Sequence, residues 1–153
     1  MTDARSEQPR HEWYALSSDV ELHAVRWDPI AAADADLAPW LLVHGLASNA
    51  RLWDGVAQHL AGLGHRVVAI DQRGHGRSSK PDDGYEMSTV ADDLMLLIEA
   101  LGWQRPGVAG QSWGGNVVLE LAHRHPDAVA AIACVDGGFI DLGVRFPEWV
   151  DAA

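Results

Sequence analysis

The 153-residue chain contains a single cysteine, Cys134, so no disulfide can form within it. Cys134 lies inside an apolar segment and reads as a buried core thiol rather than a reactive one. Positive charge is equally scarce: 11 Lys and Arg stand against 22 Asp and Glu, a net charge of -11 with no basic stripe to offset it. That balance argues against nucleic acid and anionic membrane surfaces as partners. Long hydrophobic runs are also missing. The longest, Ala128 to Val135, has eight residues and falls far short of a membrane span. Met1 to Arg10 is polar and lacks the apolar core of a signal peptide, which makes the cytoplasm the expected location. There is no internal repeat, and the one biased segment, the Ala/Asp stretch from Asp28 to Ala38, reads as an exposed loop.

The most informative stretch runs from Gly107 to Gly115. A short apolar run, Val108-Ala109, leads directly into Gly110-Gln111-Ser112-Trp113-Gly114, and the segment from Asn116 to His125 reads as a helix. Strand, abrupt turn and helix therefore meet at one serine, the setting that a Gly-x-Ser-x-Gly nucleophile elbow requires. Side chains at Gly110 and Gly114 would collide in so tight a turn, which leaves Ser112 alone at the tip. A nucleotide loop is a poor fit, because Gly-x-Gly-x-x-Gly would need glycine where Ser112 stands.

The rest of the chain supplies a frame for this turn. Glu12 to Leu16 and Val20 to Trp27 are strand candidates joined by the turn-forming trio Ser17-Ser18-Asp19. Val20, Leu22 and Ala24 alternate with Glu21 and His23, which predicts an edge hairpin with one dry face and one wet face. Trp40-Leu41-Leu42-Val43 and Arg66-Val67-Val68-Ala69-Ile70 are continuous apolar runs suited to parallel strands covered on both sides. Between them Leu52 to Leu63 carries Leu52, Val56, Leu60 and Leu63 at helical spacing, a predicted core-facing stripe. A second helix, Val90 to Leu101, begins with the capping-box pattern Thr89-Val90-Ala91-Asp92 and ends at Gly102. Ala128 to Val135 is the last strand. Strands alternating with helices predict a doubly wound, mostly parallel α/β sheet whose ligands sit at the carboxyl ends of the strands. His44-Gly45, Asp71, Ser112 and Asp136 all follow strand ends, so the fold should gather them on one rim.

The elbow, with His44-Gly45-Leu46 after an earlier strand and Asp71-Gln72-Arg73-Gly74-His75-Gly76-Arg77-Ser78 after the next, resembles the α/β-hydrolase family, specifically its esterase, lipase and peroxidase-like members with a serine nucleophile. The resemblance covers about Trp13 to Val135. It implies that Ser112 attacks an acyl carbonyl to form a covalent acyl-enzyme. It also implies an oxyanion hole from the backbone N–H groups of Trp113 and Leu46, with His44, Gly45, Gly110 and Gly114 supporting the motif and His44 acting as a loop organiser rather than a base. The Asp71 to Ser78 loop reads as a rigid turn pinned by its own Asp and Arg charges, in preference to an anion cradle. Trp53 and Trp113 could line an acyl pocket or be plain core.

In this family the triad runs Ser, then Asp or Glu, then His. His123 and His125 lie three turns down the helix from Ser112, about 16 Å or more away, and read as solvated residues complementing the helix dipole. Asp136 sits where some members keep the acid, but an acid without a histidine to orient has no triad role. By this resemblance two final strands, the histidine loop and the lid, which would begin near Phe146, are absent. Residues 1–10 then read as a disordered polar tail and 11–153 as the N-terminal portion of one hydrolase domain. The implied function is a serine hydrolase acting on a small-molecule ester, thioester, lactone or amide, with no cofactor and no metal. A cofactor-free haloperoxidase or C–C bond hydrolase on the same scaffold, and a non-catalytic binding module, remain as alternatives.

Overall fold

A computed structural model describes residues 8–29 and 37–138. The expected tail lies outside these as far as residue 7, and Arg10 already opens the first strand. Most of the Asp28 to Ala38 loop and the segment from Phe146 onward also lie outside the described residues.

Six strands, β1 (Arg10–Ala15), β2 (Glu21–Trp27), β3 (Trp40–Val43), β4 (Val67–Ile70), β5 (Gly107–Gln111) and β6 (Ala131–Val135), form one sheet in the order β1-β2-β4-β3-β5-β6. β1 and β2 pair antiparallel, β2 joins β4 antiparallel, and the remainder is parallel. The apolar runs alternate between two faces, as period-2 side chains must. Leu41, Val43, Val68, Ile70 and Val108 pack under α2 (Met87–Ala100) and α3 (Trp113–Arg124). Leu42, Val67, Ala69 and Ala109 pack on the other face, under a 3-10 turn (Ala50–Trp53) and α1 (Asp54–Gly62). The sheet is thus covered on both sides, as continuous apolar strands demand.

Several local expectations need correction. The residues that seat α1 and its preceding turn on the sheet are Ala50, Trp53, Ala57 and Ala61, whereas Leu52, Val56 and Leu63 are exposed. Of the predicted stripe only Leu60 packs against this cluster; the other three face outward, because small alanines let the helix approach the strands closely. The start of α2 is at Met87, so Thr89 lies inside the helix and Glu86 occupies the N-cap without a side-chain cap bond. Its end does fall at Gly102, whose φ of 64° and N–H bond to Glu99 close the last turn.

α3 begins at Trp113, directly after the elbow, rather than at Asn116, and β6 starts at Ala131 rather than Ala128. Cys134 is exposed rather than buried: β6 pairs only with β5 among the described strands, and an outermost strand lacks cover. His23 is buried, so β2 has no wet face at that position. The side chain of His125 is not fully solvated but meets Asp92 of α2 at 3.2 Å, beside the Arg124–Asp92 pair. Among the described residues no helix is long and apolar enough to cross a membrane.

Candidate active site

The parallel register brings the ends of β3, β4 and β5 level: Val43 lies opposite Ile70 on one side and Gly110 on the other. His44, Asp71 and Ser112 follow within two residues, so they share one rim. Ser112 has φ 52° and ψ -122°, a backbone state that disfavours any residue with a Cβ. Steric fit around it requires glycine on both sides. A Cβ on Gly114 would come within 2.6 Å of the Val43 carbonyl oxygen, and one on Gly110 within 2.7 Å of the Gly115 nitrogen. The Ser112 N–H donates to Val135 at 2.9 Å and its carbonyl accepts from Gly115 at 2.8 Å, which fixes the kink from both ends. Its hydroxyl makes no capping bond to the helix it precedes.

The His44-Gly45-Leu46 loop lies against this turn. A Cβ on Gly45 would stand 3.0 Å from the Ser112 Cβ, so the loop backbone passes directly beside the serine. Among the described residues the Leu46 N–H donates to no backbone carbonyl, and the Trp113 N–H, first in α3, has no acceptor within the helix. His44 is fully buried, and both its nitrogens are engaged. Nδ1 donates to the Gly45 carbonyl at 2.6 Å, while Nε2 accepts from the Gln72 N–H at 3.1 Å. The Gln72 side-chain amide returns a 2.6 Å bond to the His44 carbonyl. Burial depresses the His44 pKa, only partly offset by the Gly45 hydrogen bond. A neutral, doubly bonded imidazole organises the loop and has no nitrogen left to take a proton from Ser112.

His75, which the sequence did not single out, stands between the two motifs. Its ring meets His44 edge-on at 4.9 Å and stacks on Trp113 at 6.4 Å. Only its position in the Asp71 to Ser78 loop could have flagged it. Trp113 is partly buried against the α2–α3 cluster, and Trp53 is core on the opposite face. Asp136, at φ 51°, follows β6, and Gly137 packs against the backbone of Ser112. His123 and His125 sit at the far end of α3.

The Asp71 to Ser78 loop is pinned, though not by its own charges pairing. Asp71 accepts from the N–H groups of Ala50 at 2.7 Å and Arg77 at 2.8 Å and meets His23 Nδ1 at 2.8 Å. Burial would raise its pKa, but these three contacts prevail and hold it below the usual carboxylate value. Arg73 instead reaches α2, gripping Asp93 through two bonds of 2.6 and 2.7 Å and the Gly84 carbonyl at 2.8 Å.

Residues 39–153 match the family model of the alpha/beta hydrolase fold. The chain belongs to the α/β-hydrolase fold family. Over 106 residues it is 36% identical to epoxide hydrolase B of Mycobacterium tuberculosis, covering 68% of this chain and 30% of that one. A putative non-heme haloperoxidase of Mycobacterium phage D29 is 35% identical over 99 residues, 65% of this chain and 36% of its own. The crystal structure of epoxide hydrolase A from Mycobacterium thermoresistibile superposes with a TM-score of 0.73 at 31% identity, covering 83% of this chain and 39% of that one. This α/β-hydrolase chain thus spans about a third of the length of the curated relatives it matches.

Proposed function

We propose that the chain carries the nucleophile portion of a serine hydrolase that cleaves a small-molecule ester, thioester, lactone or amide. Ser112 Oγ attacks the acyl carbonyl and forms an ester bond, the leaving group departs with a proton, and water then releases the acid. The N–H groups of Trp113 and Leu46 receive the oxyanion, a role worth about 3 kcal/mol per well-placed donor. The observation that carries this reading is the strained, glycine-flanked conformation of Ser112, held beside the Gly45-Leu46 backbone with its hydroxyl making no bond to the helix it precedes.

Two relatives are named as epoxide hydrolases, but the chemistry of a hydroxyl nucleophile favours acyl transfer here. Opening an epoxide with serine would leave an ether, which water cannot cleave under mild conditions, whereas an acyl-serine ester is hydrolysable. The haloperoxidase relative keeps a second reading open: peroxide in place of water would release a peracid from the same acyl-enzyme, without a cofactor.

No described residue hydrogen-bonds the Ser112 hydroxyl, so the reading assigns the general base to a group outside the described residues. The 153-residue chain alone is then expected to hydrolyse p-nitrophenyl acetate negligibly, and a protein joining it to segments that supply the base to do so at a rate abolished by Ser112→Ala. The assay is a panel of esters, a thioester and styrene oxide, with and without peroxide. Ester cleavage that survives Ser112→Ala, or turnover of styrene oxide with esters untouched, would overturn the proposal; robust, Ser112-dependent turnover by the chain alone would place the base within it.

A further inference from the structure

At the other end of the same rim, a chain of hydrogen bonds runs from a buried carboxylate to an exposed imidazole. Asp71 Oδ2 meets His23 Nδ1 at 2.8 Å, and His23 Nε2 meets His11 Nδ1 at 2.8 Å, with the two imidazole rings stacked at 5.1 Å. His23 donates its Nδ1 proton to the ionised Asp71, so a neutral His23 offers a bare Nε2 and His11 must donate from Nδ1. That leaves His11 Nε2 free. His11 lies on the outermost strand, four strands from β5, or about 19 Å from Ser112 at the usual strand spacing.

A cavity of about 290 Å³ opens at this point, lined in part by His11, His23, Asn49, Arg51, Asp71 and Arg77. The negative charge of Asp71 is already met by two N–H groups and His23. The guanidinium of Arg77, by contrast, makes no hydrogen bond or ion pair among the described residues; only its backbone N–H is used. Arg51 shares its charge with Asp54 at 2.6 Å but is half exposed. Donors therefore outnumber acceptors around a concave space, in a chain whose net charge is -11.

We propose that this cavity binds a small oxyanion, inorganic phosphate or a phosphate monoester, through Arg77, Arg51 and His11 Nε2, and that one proton is taken up at His11 as the anion enters. A dianion meets two guanidinium groups there, and the added proton turns His11 Nε2 into a third charged donor. In the free protein the groups facing His11 are His23 on β2, Asp71 and Arg77 after β4, and Arg51 on the 3-10 turn. Partial desolvation against the neighbouring groups, then the charges of His23, Arg77 and Arg51, hold the His11 pKa below its ordinary value, with Asp71 opposing. A bound anion reverses that balance, so affinity for the dianion itself rises as pH falls.

The test is calorimetric titration of the chain with inorganic phosphate at constant ionic strength, at about pH 6 and about pH 8, in buffers of different ionisation enthalpy. The expected result is saturable binding at both pH values: at about pH 8, where phosphate is already a dianion, close to one proton is taken up from buffer per phosphate, and at about pH 6 the ligand's own proton supplies His11 and the net uptake falls towards zero. Arg77→Gln should weaken it about tenfold or more, and His11→Gln should abolish the proton uptake. Arg77 is exposed and its variant should keep the parent circular dichroism; Arg51→Gln provides a second, independent weakening. A parallel titration with glycerol phosphate separates the sources: comparable binding assigns the site to organic phosphoryl groups, and its failure to free phosphate. No saturable heat at either pH, binding without proton uptake at the higher pH, or affinity unchanged in both arginine variants would overturn the proposal.

Discussion

Replacing Ser112 with glycine is expected to stabilise the protein, although it removes the proposed nucleophile. At φ 52° and ψ -122° the residue occupies the first central position of a type II′ turn, which glycine adopts freely and serine does not. Holding a Cβ there costs about 1–3 kcal/mol. Glycine returns about 0.5–1 kcal/mol of this by gaining freedom in the unfolded chain. The net gain is then about 1 kcal/mol, within a range of about 0 to 2.5, and 1 kcal/mol is roughly 2 to 4 °C in Tm for a domain this size. Ser112→Ala is the control: it keeps the Cβ and the strain, and loses only a hydroxyl that makes no capping bond, so its stability should stay within about 0.5 kcal/mol of the parent. Urea denaturation followed by circular dichroism compares all three. If the glycine variant proves no more stable than the alanine variant, the backbone is not strained at Ser112 and the argument from conformation to function loses its footing.

Further outcomes follow from the same structure. Gly114→Ala would press a methyl group to 2.6 Å from the Val43 carbonyl, so a loss of about 3 kcal/mol or more is expected, read as a lowered urea midpoint or insoluble expression. Asp93→Ala strands Arg73 with 8% side-chain exposure and should cost about 3–5 kcal/mol, while the double change Arg73→Met, Asp93→Leu should recover most of it in the same denaturation assay. His44 is held neutral, with its pKa lowered by burial. The unfolded chain therefore binds a proton that the folded one refuses, and stability should fall as pH drops below about 6.5. Asp71 works in a lower window: its depressed pKa keeps its contribution intact above the unfolded value of about 4 and loses it as pH falls through the folded one. Urea midpoints measured from neutral to acid pH should show the first decline, and His44→Gln should flatten it.

What the amino-acid order disclosed was what is locally encoded. The elbow was legible because Gly110, Ser112 and Gly114 lie within five residues and their sterics need little from elsewhere. The two-layer cover was legible because Leu41 to Val43 and Val67 to Ile70 leave no polar face. The failures share a different cause. His23 looked solvent-facing because its partner, Asp71, is 48 residues away, and alternation alone says nothing about a buried acceptor. The Leu52, Val56, Leu63 stripe was periodic, but period does not reveal which side of a helix meets the sheet when alanines permit the closer approach. Cys134 sat in a run as apolar as a central strand's, and only the sheet order shows that strand to be outermost among the described ones. Arg73 and Asp93 likewise formed no readable pair until α2 folded beside the loop.

The buried tryptophans confer an optical property. Trp27 and Trp53 lie in the cluster beneath α1 with their indole nitrogens lacking an acceptor among the described residues, so their excited states relax in nonpolar surroundings and emit towards the blue. Trp13, half exposed with its ring 5.0 Å from His23, emits further to the red. The short-wavelength edge of the fluorescence thus reports on the integrity of the interior, and the long-wavelength edge on the state of the hairpin, in one spectrum without an added label.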